Sequence, residues 1–298
     1  MIKSFISKTF NFFGYKVEKK PIIIESKKNK NFEKIEILLD TFIDFEKYNY
    51  LSECYVFIKN LKEKKNAKFN FDNGFKIEID EINFYINSWE EMFILNEIFI
   101  ENIYNIELNE NFSFIDIGMN VGFTSLFFAN KKNCINVFSF EPFKKTYDLA
   151  LKNLSINKFS SKINAFDYGL GFPERVLEVE YNENFKGSMG INGLAEYIED
   201  GSQKELAQLY IKDVSNVIEK YKHNFSDKKI VKIDCEGSEY EIFDQLDKNN
   251  QITTFDYYLI EWHIKGPKQI TDILLKYNYK IISFNESADD IGMIYAFK

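Results

Sequence analysis

The stretch Phe114-Ile115-Asp116-Ile117-Gly118-Met119-Asn120-Val121-Gly122-Phe123-Thr124 constrains the fold more than any other part of the chain. An apolar run without alternation suits a strand buried on both faces. It leads into two glycines four positions apart and then into a helix start. Glycine tolerates positive φ and lets backbone approach a ligand closely. A helix N-terminus offers free N–H groups to polar or anionic atoms. Strand, turn and helix in this order open a parallel α/β sheet.

The alternation continues downstream. Strands are predicted at Phe112–Ile117, Asn136–Phe140, Lys162–Phe166, Lys229–Asp234 and Asp256–Trp262. Helices follow the first, second, fourth and fifth of these. Tyr279–Phe284 and Gly292–Phe297 are close enough to form a hairpin. Residues 171–209 carry Gly187, Gly190, Gly193 and Gly201 and little helical period. They read as a partly extended insertion whose segment 182–208 is mobile and covers a ligand. Upstream, residues 1–88 read as an accessory region. It has helical periodicity over Asn31–Lys62 and a hairpin at Asn73-Gly74. Residues 89–298 form the main domain, entered by a helix over Trp89–Ile106.

Composition removes whole classes of function. A chain of 298 residues buries enough surface to need no disulfides. Its 38 basic and 46 acidic residues give a net charge of −8, so no broad nucleic-acid footprint exists. Cys54, Cys134 and Cys235 are scattered, which fits a reduced, cytoplasmic chain without a cysteine-built zinc site. No apolar run reaches the roughly 18 residues of a membrane span. Met1–Tyr15 sets Phe5, Ile6, Phe10 and Phe13 among lysines. It reads as a helix packing on its own protein or on a second copy, with docking on anionic lipid as the alternative.

The candidate site residues cluster at strand ends. A pyrophosphate prefers the spacing G-x-G-x-x-G. The spacing here better suits a ligand with an amino acid end, S-adenosylmethionine, cradled by Asp116, Gly118, Asn120 and Gly122. Glu141, in Phe140-Glu141-Pro142, ends the next strand, where a carboxylate can accept both ribose hydroxyls. Asp167 ends the third and is placed to accept the adenine amino group. Asp234, Glu236 and Glu239 gather at the end of the fourth strand and the first turn of a helix. Capping explains the two glutamates as readily as function does. Asp234 ends an apolar strand, where burial costs unless something pairs with it. His263, in Ile260-Glu261-Trp262-His263, ends a core strand and is either a proton acceptor near neutral pH or a locally satisfied histidine. Asp234, Glu236, Glu239 and His263 have the chemistry of an oxygen-rich metal site. Spacing alone does not show that they converge, and no metal is assigned.

Taken together, Phe114–Gly122, Phe140-Glu141-Pro142, Lys232-Ile233-Asp234-Cys235-Glu236-Gly237-Ser238-Glu239 and Ile260–His263 resemble the FkbM family of S-adenosylmethionine-dependent methyltransferases. The resemblance covers roughly Trp89 to Lys298. The family's lysine-isoleucine-aspartate-x-glutamate-glycine-x-glutamate string is intact. Met119 stands where the family's glycine loop usually has alanine. The resemblance implies a Rossmann-like class I methyltransferase fold, α/β, with a seven-stranded sheet whose last strand is antiparallel. It also implies O-methyl transfer to a sugar, a glycan or a glycan precursor. Asp234 or His263 would take the hydroxyl proton, with Glu236 and Glu239 orienting acceptor hydroxyls. Two rivals remain: an NAD-dependent sugar oxidoreductase, and a catalytically inactive nucleoside-binding module.

Overall fold

The computed structural model describes residues 22–191, 193–194, 205–285 and 291–298. The apolar stretch Met1–Tyr15 lies outside them. The chain divides into two compact units, residues 1–59 and 60–298, so the boundary falls well before the expected 88.

The first unit contains helix α1 (Ile22–Leu39) and a short 3-10 turn over Asn49–Glu53. The periodicity that predicts helix from Asn31 to Lys62 is broken at Asp40, whose φ is 51°. Beyond it, the Asp44 carboxylate accepts the backbone N–H groups of Glu46 and Lys47. That local bonding competes with helix. Phe32 and Phe45 meet edge to face at 4.9 Å. Helix α2 (Tyr55–Lys65) straddles the boundary.

The second unit opens on a meander of β1 (Lys68–Asn70), β2 (Lys76–Ile79) and β3 (Ile82–Tyr85). Asn73 and Gly74 make its first turn with φ of 56° and 106°. Side-chain oxygens of Asn157 and Asn153 accept the backbone N–H groups of Asn83 and Tyr85, both at 2.8 Å. Phe84 packs edge-on against Phe99 and Phe123. These bonds and rings place the meander with the main domain, which is why the boundary moves. Helix α3 (Trp89–Asn96) is capped by the Ser88 hydroxyl. A π-helical turn over Glu97–Glu101 and left-handed Asn102 end it before the expected Ile106.

Strand β4 (Phe112–Ile117) is buried at every position. Helix α4 (Phe123–Asn130), β5 (Cys134–Phe140), α5 (Lys144–Ser155) and β6 (Ile163–Phe166) follow. The insertion is extended over much of its described length. It contains β7 (Gly169–Gly171), β8 (Arg175–Tyr181), the two-residue strands β9 (Met189–Gly190) and β10 (Gly193–Leu194), and β11 (Glu205–Asp213). Strand β11 pairs antiparallel with β8 and parallel with β7. The rest of the segment expected to be mobile, residue 192 and residues 195–204, lies outside the described residues.

Helix α6 (Val214–Tyr221), β12 (Lys228–Ile233), α7 (Glu239–Lys248), β13 (Tyr257–His263), α8 (Lys268–Lys276), β14 (Lys280–Asn285) and β15 (Ile291–Phe297) complete the chain. The main sheet has seven strands in the order β14-β15-β13-β12-β4-β5-β6. Its last strand in sequence, β15, is antiparallel to both neighbours. The chain builds outward from β4 in one direction and then returns to β12 at its other side. The carboxyl ends of β4 and β12 therefore flank a topological switch point, where open α/β sheets bind ligands.

Candidate active site

The end of β4 turns sharply because three residues accept positive φ: Gly118 at 86°, Asn120 at 50° and Gly122 at 84°. A Cβ at Gly118 would lie 1.7 Å from the Asp234 carbonyl oxygen, so only glycine lets the ends of β4 and β12 touch. The Asn120 N–H donates to Glu141 Oε2 and the Phe143 N–H to Oε1, both at 2.9 Å. Burial pushes the Glu141 carboxyl up to about 7, with those two N–H groups pulling the other way. Asn120 Oδ1 is buried and accepts no hydrogen bond. Gly118, Asn120, Glu141 and Gly190 line one cavity.

A second cavity, of about 360 Å³, opens beside it. Trp89, Tyr104, Glu236, Glu261 and His263 line it. Trp89 and Phe93 stack with ring centroids 5.6 Å apart. Asn120, Gly187, Asp234 and Glu236 line both cavities, so the two meet there.

Lys232 joins the two halves from below. Its Nζ donates to the Gly118 carbonyl at 2.6 Å and lies 3.1 Å from Asp234 Oδ2 and 3.5 Å from Asp116 Oδ1. Burial opposes its charge, and the two carboxylates outweigh burial. Burial would likewise raise Asp234, but the Lys232 ammonium prevails and holds it below the usual carboxylate range. The Tyr104 hydroxyl sits 3.1 Å from both Asp234 Oδ2 and Glu261 Oε2.

After β12 the backbone turns through Glu236 and Gly237, with φ of 53° and 107°. Glu239 closes this turn. It is fully buried and accepts the N–H groups of Cys235 and Gly237. Its Oε1 also lies 3.1 Å from His263 Nδ1. His263 Nε2 is 3.6 Å from Glu236 Oε1 and 3.7 Å from Glu261 Oε1. Burial would lower His263, but Glu239, Glu261 and Glu236 outweigh it and hold the ring's proton well above the usual histidine range. Burial pushes Glu236 up to about 8, and its carboxylate accepts no hydrogen bond from the described residues.

The loop before β9 docks on α3. Lys186 Nζ lies 3.0 Å from Glu91 Oε1, both side chains buried. The Gly187 N–H donates to Glu90 Oε2 at 2.8 Å. Burial pushes Glu90 up to about 7, and the Gly187 N–H works against that rise.

The structure thus brings Gly118, Asn120, Glu141, Asp234, Glu236 and His263 together at the cavities. It does not bring four others there. Asp116 is fully buried beneath the turn, accepting the Ser125 hydroxyl at 2.5 Å. Gly122 faces Leu154 and Ala150 of α5. Asp167 is exposed and lines neither cavity. Glu239 supports the turn and His263 and lines neither cavity, so the capping reading describes its position. Sequence reasoning gave no role to Tyr104, Lys186, Glu90 or Lys232. Only Lys232 had a signal, a lysine inside an apolar strand.

A seven-stranded, mostly parallel sheet with paired cavities at its switch point is the architecture of a Rossmann-like methyltransferase. The family model for the methyltransferase FkbM domain matches residues 116–281, and the chain belongs to that family. Methyltransferase sdnD of Sordaria araneosa is 27% identical over 226 residues, 67% of this chain and 86% of that protein. Methyltransferase 1 of Beauveria bassiana is 25% identical over 194 residues, 58% of this chain and 75% of that protein. Among solved structures, an FkbM methyltransferase from Methylobacillus flagellatus KT aligns with a TM-score of 0.45 and 12% identity. That alignment covers 90% of this chain and 59% of that protein, so this chain spans under two thirds of it. An Aeropyrum pernix fibrillarin with natively bound S-adenosyl-L-methionine aligns at a TM-score of 0.40 and 13% identity, over 68% of this chain and 74% of its own. Among the described residues, no helix is long and apolar enough to cross a membrane.

Proposed function

We propose that the chain transfers a methyl group from S-adenosylmethionine to a hydroxyl of a sugar, a glycan or a glycan precursor. The observation that carries this reading is the meeting of two cavities at Asn120, Gly187, Asp234 and Glu236. One cavity carries groups that suit the donor. Glu141 offers each oxygen to one N–H and keeps acceptor capacity for ribose hydroxyls. The orphaned Asn120 Oδ1 suits the donor's ammonium. The donor, when bound, supplies an electrophilic methyl on a sulfonium.

The other cavity fits the acceptor. The Trp89–Phe93 stack gives an apolar platform for a sugar face, and Glu236 and Glu261 can accept its hydroxyls. Holding the acceptor oxygen in line, about 3–3.5 Å from the methyl, supplies much of the rate. The oxygen loses its proton as transfer proceeds. Asp234 is tied to Lys232 and Tyr104, and His263 is ringed by carboxylates that keep it protonated. Glu236 faces the junction without a hydrogen-bond donor of its own, which makes it the better placed acceptor of the proton.

Incubation with S-adenosylmethionine and a panel of free, nucleotide-linked and polymeric sugars tests this. The expected result is the demethylated donor together with an acceptor one methyl heavier on a hydroxyl oxygen. Calorimetric binding of NAD in preference to the methyl donor would overturn it.

A further inference from the structure

The structure assigns a divalent-cation site to Asp234, Glu236 and His263, at the junction of the two cavities. One ligand atom from each can be chosen so that all three lie within 4.8 Å of one another. They come from two neighbouring strands and the turn after β12, and nothing in their local sequence requires them to meet.

Independent observations point to a ligand rather than to a self-contained ion cluster. The His263 ring is 4% exposed and lines the larger cavity. Its Nδ1 is held by Glu239, whose oxygens already take two backbone N–H groups. A carboxylate that fixes one ring nitrogen so that the other can coordinate is the usual support of a metal-binding histidine. Among the described residues, the Nε2 has no partner within hydrogen-bond distance. Its nearest oxygens, on Glu236 and Glu261, stand at 3.6 and 3.7 Å. Such gaps are too long for hydrogen bonds. They suit two ligands of one ion held at about 2.0–2.3 Å from each.

The carboxylates are sided in the same way. Tyr104 and Lys232 both sit on Asp234 Oδ2, and among the described residues Oδ1 has no partner. Tyr104 takes Glu261 on Oε2, and Oε1 faces the histidine. Glu236 accepts no hydrogen bond from the described residues. Asp234, Glu236, Glu239 and Glu261 thus gather around His263, and Lys232, the lysine paired with Asp234, is shared with Asp116. A divalent ion that displaces the His263 Nε2 proton takes over its place in balancing that charge. Two carboxylate oxygens and one imidazole suit Mn2+ or a similar ion, with positions left open. An acceptor hydroxyl filling one of them would lie beside the donor's methyl, and the ion would lower its pKa. That consequence rests on the proposed O-methyl transfer; occupation of the site does not.

The test uses the full chain stripped with a chelator and titrated with Mn2+ alone, followed by electron paramagnetic resonance of the free ion. One saturable site per chain is expected. Glu236→Gln and His263→Gln should each weaken it at least tenfold, while Asp247→Asn, at a remote, half-buried carboxylate paired with Lys276, leaves it unchanged. Thermal unfolding of each variant reports on folding, and Glu236→Gln, a near-isosteric change in the turn after β12, keeps the test intact should the core histidine variant unfold. No saturable site, or one untouched by Glu236→Gln, overturns the proposal. If S-adenosylmethionine binds and Mn2+ does not, the cation site falls and the methyltransferase reading stands. If Mn2+ binds but no hydroxyl is methylated, the acceptor reading falls and the cation site stands.

Discussion

Glu141 and Glu236 occupy comparable places, just past the carboxyl ends of β5 and β12, the two parallel strands that flank β4, and burial pushes both carboxyls up. Their surroundings differ. Each Glu141 oxygen already holds a backbone N–H, supplied by the glycine turn and by the start of α5. Glu236 holds none, and its turn strains it into positive φ. One half of the site is finished by its own backbone and waits only for a ligand to slot in. The other half is left with free oxygens. Free buried acceptors cost stability, and strained, incompletely satisfied residues gather where function uses them. On the proposed function, the contrast separates a binding half from a chemical half.

The sharpest way to break that division is Glu236→Gln. Removing a proton acceptor costs about 10²–10⁴ in turnover. Methyl transfer should fall by that amount while donor affinity, measured by calorimetry, changes by less than about twofold. A large loss of donor affinity would merge the two halves into one.

Lys232 tests what holds the halves together. Its ammonium serves Asp116 under the binding turn, Asp234 on the chemical side and the Gly118 carbonyl between them. Lys232→Met leaves buried Asp116 and partly buried Asp234 without their counter-charge. Removing one partner of a buried ion pair costs about 3–5 kcal/mol. Denaturant unfolding should show a loss of that size. A loss below about 1 kcal/mol would mean that water already reaches these carboxylates.

Glu141→Ala should weaken donor binding at least tenfold, about 1.4 kcal/mol, with the fold intact by circular dichroism. Unchanged affinity would take Glu141 out of the binding half.

The binding half was legible in the sequence because it is local. A strand, a turn and a carboxylate at the next strand end are read from neighbours in the chain, and Gly118, Asn120 and Glu141 stand where that reading places them. The same locality misled at Asp116 and Gly122. Period and spacing show that a residue belongs to a turn but not which side of the turn faces the ligand; Asp116 points down to Ser125 and Gly122 toward α5. The chemical half depends on separation. Tyr104 reaches Asp234 and Glu261 across most of the second unit, and Lys186 reaches Glu91. No pattern within a window reports such contacts. The β8–β11 pair was missed for a different reason. Val176, Leu206 and Tyr210 are exposed, which blurs the apolar–polar alternation by which a strand is recognised.

The smallest expected effect is a pH dependence, and it belongs to the binding half. Burial raises Glu141 from the ordinary 4.5 to about 7. In the ligand-free chain a raised carboxyl stabilises the folded state most below its unfolded pKa, and that contribution is lost as pH rises through about 7. The donor reverses the preference, because two ribose hydroxyls donate best to an ionised carboxylate. Affinity should therefore rise with pH across the same window. For one group titrating near 7, the ionised fraction grows about threefold between pH 6.5 and 7.5, so the dissociation constant should fall by about that factor. Glu90, also raised to about 7, pairs with the Gly187 N–H of the loop over both cavities and would give the same trend. Measuring the profile in Glu141→Gln separates the two. A flat profile in that variant assigns the effect to Glu141. A persistent slope, abolished by Glu90→Gln, assigns it to the docking of the Lys186–Gly187 loop, and the pH response of donor binding would then arise at the junction of the cavities rather than at the ribose.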